Sequence, residues 1–147
     1  MKFSLATAFS GLLLATSALA QGIQIGAAPK DMSIIHPGQE LLIEVDRHNT
    51  LQSSTEVAIV IGLNSCHNTT CVNPADSILG SILYNGPYKP QIHDNAVGKP
   101  PHQNFTVTVP STIEKGNAQL VVFHVTLIGA SQSIPFTEFR NLTLVVV

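Results

Sequence analysis

Residues 104–109 (NFTVTV) alternate polar and apolar side chains without a break. In an extended chain successive side chains point to opposite faces. Phe105, Val107 and Val109 therefore share one face, and Asn104, Thr106 and Thr108 the other. The same period of two recurs along the chain. Leu41, Ile43 and Val45 oppose Leu42, Glu44 and Asp46, while Val121, Phe123, Val125 and Leu127 oppose Val122, His124 and Thr126. A last strand places Leu142, Leu144 and Val146 inward. Residues 56–62 (EVAIVIG) are almost continuously apolar, as expected of a central strand covered on both faces. Residues 77–84 form the next apolar run, and Ile23 and Ile25 share a face near the start.

Turn chemistry separates these runs. His36-Pro37-Gly38-Gln39 is a turn, and Pro110 stops the strand before it. Ser111-Thr112-Ile113-Glu114 has a capping-box pattern with Gly116 behind it, which predicts one short helical turn. No long helical period occurs. About seven short strands without crossover helices predict an all-β fold: a single immunoglobulin-like antiparallel β-sandwich. The inter-sheet disulfide and buried Trp of antibody domains have no counterpart here.

Residues 1–20 set the compartment. Lys2, the apolar stretch around Leu12-Leu13-Leu14 and the Ala18-Leu19-Ala20 site read as a secretory signal peptide. The domain is then 21–147, starting at Gln21, and the protein is expected to be extracellular. Its six Lys and Arg face nine Asp and Glu, with no basic stripe, so neither nucleic acid nor an anionic membrane is an expected partner. The closing apolar residues 142–147 are too short to span a bilayer, so no membrane insertion is expected. A freely secreted monomer is the expectation. In an oxidising compartment Cys66 and Cys71, the only cysteines, are expected to form a disulfide. So small a loop contributes about 2 kcal/mol by chain entropy. Three sequons, Asn68, Asn104 and Asn141, are candidate N-glycosylation sites. Strand parity turns Asn104 and Asn141 away from the core.

No catalytic signature stands out. There is no G-x-S-x-G elbow. Glu44 and Asp46 share a face but read as a solvated strand surface rather than a glycosidase pair. Copper oxygenases on secreted sandwiches use an N-terminal histidine, and the expected terminus is Gln21. His93, His102 and His124 have no metal-ligand spacing, so no metal and no cofactor is expected. The chain reads as a non-enzyme.

Residues 84–102, rich in Pro and Gly, are the candidate recognition surface. Tyr84, Tyr88, His93 and His102 are its candidate partner-binding residues, with Tyr88 as an exposed anchor. A plain connection with Tyr84 in the core is the competing reading.

Several motifs occur in a fixed order: Val57-Ala58-Ile59-x-x-Gly62, Leu79-Gly80-x-x-Leu83-Tyr84-x-Gly86-Pro87, Asn104 to Pro110, Lys115-Gly116-x-Ala118-Gln119-Leu120, Leu127-Ile128-Gly129-Ala130 and Asn141-Leu142-Thr143. In that order the chain resembles the necrosis-inducing secreted protein family of fungal effectors, over about residues 23–147. The resemblance implies a small secreted protein without enzymatic activity. It further implies suppression of plant immune signalling through binding of receptor-associated kinases, and cell death in some hosts. The Cys66–Cys71 insertion and the Pro-rich loop after Tyr88 depart from the family pattern. A cell-wall or glycan-binding module of the fungus is the alternative function.

Overall fold

The computed structural model describes residues 22–48, 53–67, 69–94, 96–131 and 133–147. The expected signal peptide, 1–20, and Gln21 lie outside the described residues. The described residues form eight strands: β1 (Ile23–Ile25), β2 (Ser33–Ile35), β3 (Glu40–Arg47), β4 (Ser54–Ser65), β5 (Ser81–Gly86), β6 (His102–Thr108), β7 (Gly116–Ile128) and β8 (Ile134–Val146). Two sheets result, ordered β1-β3-β6 and β2-β8-β7-β4-β5. This is the strand order of an immunoglobulin-like sandwich whose first strand is split between the sheets. The all-β sandwich is therefore what the alternation predicts. One pairing departs from the antiparallel expectation: β2 runs parallel to β8, from Ser33↔Leu144 to Ile35↔Val146. Three residues carry too little alternation for β2 to be legible in the sequence.

The period of two sets the core. Leu41 and Ile43 lie opposite Val107 and Phe105 on β6. They pack with Ile61, Leu63, Leu120, Val122, Leu144 and Val146, all buried. On β7 the inward face is that of Leu120, Val122, His124 and Thr126. The Phe123 face turns outward, where Phe123 meets Phe139 with ring centroids 4.7 Å apart. Large side chains that interdigitate between the sheets supply most of the favourable free energy of such a domain.

The turns follow from φ. Gly38 has φ +81°, and the Gln39 amide donates to the His36 carbonyl at 3.2 Å, a turn with Pro37 at its second position. The predicted helical turn after Pro110 is absent. Residues 110–113 instead close a single turn, in which the Ile113 amide donates to the Pro110 carbonyl. Gly116 is already paired with Val146 as the first residue of β7, which leaves no room for a helix. The one short helical element among the described residues is a 3₁₀ turn, Pro74–Asp76, capped by the Asn73 side chain on the Ala75 amide. No helix among the described residues is long and apolar enough to cross a membrane.

Candidate functional site

The long connection between β5 and β6 is pinned to the smaller sheet at several points. Gln91 and His102 exchange both backbone hydrogen bonds. Lys89 donates its amide to Gln103 Oε1 at 2.6 Å, and Lys99 Nζ reaches both oxygens of Glu44, at 2.9 and 2.7 Å. Glu44 consequently is buried, not a solvated strand residue, and Ala27 donates its amide to the same carboxylate. Burial pushes its pKa up, but the Lys99 and Ala27 hydrogen bonds outweigh this and hold it below the usual carboxylate range. Asp46 goes the other way, raised by burial and by the Glu44 charge.

Tyr88 is not an exposed anchor. It is 2% exposed, and its hydroxyl donates to the Val45 carbonyl at 3.1 Å. Its ring packs between the sheets, near Phe105 on one side and His124 on the other. His102 is likewise buried, its Nδ1 2.9 Å from the Pro100 carbonyl. Tyr84 is half-buried against Phe105, with its hydroxyl on the Pro87 carbonyl. His93 remains exposed, its ring 4.6 Å from that of His102. Of the four candidate partner-binding residues, then, only His93 is fully presented to solvent. The exposed apolar residues of the segment are Ile92 and Val97.

Between the sheets, at the end where β3 stops and β4 starts, the packing is ionic. His124 is fully buried, with Nε2 2.5 Å from Glu56 Oε2 and Nδ1 3.0 Å from Glu138 Oε1. Only an imidazolium donates from both nitrogens, so the geometry is that of the charged ring. Arg47 Nε donates to Glu56 Oε1 at 2.8 Å, and Arg140 Nη2 lies 2.7 Å from Glu138 Oε2. Charges therefore alternate along Arg47, Glu56, His124, Glu138 and Arg140. Burial pushes the His124 pKa down, but the bonds to Glu138 and Glu56 outweigh it, and the net shift is upward. Burial likewise pushes Glu56 up, yet the His124 and Arg47 bonds bring it to about 2. The seam also joins the sheets: Ile23 donates its amide to Glu138 Oε1, and its carbonyl accepts from Arg140 Nε.

The sequence reading misses this seam. Charged residues within strands pass for solvent-facing ones, and Glu56 lies 68 positions from His124. The sequence does carry one signal of it. Glu138 and Arg140 continue the parity of Leu142, Leu144 and Val146, so they are inward-facing by the same rule.

Cys66 and Cys71 form the expected disulfide. Beside it His67 Nδ1 and Glu114 Oε2 make an exposed 2.6 Å ion pair. Asn104 and Asn141 are exposed on the outer sheet faces, opposite Glu44 and Val121, as their parity predicts. Asn68 lies outside the described residues. Among the described residues no three His, Cys, Asp or Glu side chains converge to hold a metal.

These features define a class: a small disulfide-bonded β-sandwich of immunoglobulin type with a buried ionic seam between its sheets. The Nis1 family model matches residues 16–144. The chain belongs to the Nis1 family, in keeping with the resemblance of its motifs to the necrosis-inducing secreted effectors. No curated protein matches it.

Proposed function

We propose that this chain is a secreted fungal effector-like protein that acts by binding another protein rather than by catalysis. Its target class is the kinases associated with plant immune receptors, and the contact is made by the stretch around Ile92, His93 and Val97. The family supports the effector reading. The contact surface rests on one observation: Val97 is 96% and Ile92 72% exposed on a connection held down by Lys89, Gln91 and Lys99. Apolar side chains on a backbone already held lose little entropy when a partner covers them. The glycan-binding alternative needs an aromatic platform, and with Tyr88 buried and Tyr84 half-buried the two tyrosines do not make one.

A pull-down of purified protein against kinase domains of plant immune receptor complexes tests the target class, and binding to insoluble chitin or glucan tests the alternative. The double variant Ile92→Asp, Val97→Asp is expected to weaken kinase binding by about tenfold or more with an unchanged melting temperature. Unaltered affinity would move the contact off this segment, and failure to retain any kinase would remove the target class.

A further inference from the structure

We propose that the free edge of β8, from Pro135 to Asn141, is a second binding site, which takes an extended peptide by strand addition and favours one bearing carboxylates. On its β7 side β8 is paired throughout, from Gly116↔Val146 to Ile128↔Ile134, with no register shift. On the other side β2 covers only Leu144 to Val146.

The direction of the backbone groups follows from the strand's own bonds. Thr143 accepts from the Met32 amide and donates its own amide to Asp31 Oδ1, so its peptide groups face away from β7. Without a bulge, the same holds two, four and six residues earlier, at Asn141, Phe139 and Thr137. The Arg140 guanidinium takes the Phe139 carbonyl. Pro135 has no amide hydrogen to offer. The amide and carbonyl of both Thr137 and Asn141, and the Phe139 amide, are left facing outward, with no strand paired to them among the described residues. Open edges of this kind are the usual template for an added strand.

The flanks of this edge suit a ligand that is both apolar and acidic. Ile134 is 65% and Phe136 38% exposed, although both share the inward parity of Glu138 and Arg140. The small sheet ends near Ile23 and does not reach them. Further along, a cleft of 530 Å³ separates β1 from β8, lined by Ile23, Ile25, Pro29, Lys30, Arg140 and Leu142 among others. Arg140 is engaged by Glu138, and Asp31 caps the Thr143 amide. Lys30 makes no ion pair among the described residues, so it is the cation left for an incoming carboxylate.

The test is fluorescence anisotropy of the purified protein with a labelled probe of alternating valine and threonine that ends in two glutamates, beside a probe ending in two lysines. The acidic probe is expected to bind about tenfold more tightly, and Lys30→Glu to reverse that preference. Thr137→Pro removes an outward amide that β7 does not use, so it should cut binding by about tenfold or more while the melting temperature holds. Amide exchange on the unaltered protein gives a second readout: the Thr137 and Asn141 amides should slow when the acidic probe is added. The proposal is overturned if neither probe binds, if exchange at those amides does not change, or if Thr137→Pro folds and binds as before. It is equally overturned if the protein sediments as a dimer that Thr137→Pro dissolves, since the edge is then an interface between copies of this chain.

Discussion

The space between the two sheets is filled in two different ways. At the disulfide end it is a hydrocarbon core, in which Leu41 and Ile43 meet Phe105 and Val107, with Ile61, Leu63, Leu120, Val122, Leu144 and Val146 around them. At the opposite end the same strands meet through Arg47, Glu56, His124, Glu138 and Arg140. The apolar half gains free energy from area removed from water and tolerates swaps of similar volume. The ionic half gains its cohesion from a fixed set of partners, and it suffers most when one of them is lost. One sandwich thus joins a forgiving half to an exacting one.

The largest effect expected from this contrast is at His124. His124→Leu leaves the carboxylates of Glu56 and Glu138 facing each other without the cation between them. A loss of about 3–5 kcal/mol is expected, the range for breaking a buried ion pair by removing one member. Phe105→Ala, in the apolar half, is expected to cost about as much, 3–5 kcal/mol, by cavity formation. Urea titrations at several pH values separate the two mechanisms. The Phe105→Ala cost should be flat with pH, and the His124→Leu cost should not. Parallel pH profiles would mean that the two halves are held together in the same way.

That difference between the halves also explains what the sequence discloses. Phe105 is found inward because Asn104, Thr106 and Thr108 mark the other face, and a hydrocarbon core needs no knowledge of partners. Asn104 and Asn141 are placed outward by the same parity. The seam escapes because a charge in a strand becomes interior only when its partner arrives from elsewhere: Arg47 meets Glu56 across a chain reversal, and His124 meets Glu138 across a hairpin. Glu44 passes for a solvated residue for the same reason, since the Lys99 that covers it comes from a loop 55 residues on. Tyr88 looks like a loop aromatic until the fold places its ring in the core and its hydroxyl on the Val45 carbonyl.

An intermediate effect, on the unaltered protein, is a stability optimum bounded on both sides by the seam. The folded-state pKa of His124 lies above the ordinary histidine value of 6.5. Its contribution is therefore complete below about pH 6.5 and is lost as pH rises through the higher folded value. Glu56 falls from 4.5 to about 2, so its contribution is complete above pH 4.5 and is lost as pH falls toward 2. Unfolding free energy measured from pH 2 to 10 should fall on both limbs. In the His124→Leu variant the alkaline fall should shrink. A variant that keeps the full alkaline fall would place the responsible group outside the seam.

The smallest expected effect is that of Tyr88→Phe, at the residue that touches both halves. The Tyr88 ring stacks toward Phe105, with centroids 6.5 Å apart at 27°, and presents to His124 in a T-shaped contact at 5.4 Å. Its hydroxyl donates to the Val45 carbonyl, and burial together with the Glu56 charge drives its pKa upward, so it stays neutral and remains a donor. Tyr88→Phe keeps the ring and both ring contacts and deletes one hydrogen bond. The expected loss is about 1 kcal/mol, the usual net worth of one buried hydrogen bond. Tyr88→Ala removes the ring as well and should cost about 3–5 kcal/mol. Thermal or urea unfolding of the pair reads both numbers. If Tyr88→Ala is no worse than Tyr88→Phe, the ring does not couple the two halves, and the hydrocarbon core and the ionic seam are separate supports that share the same strands.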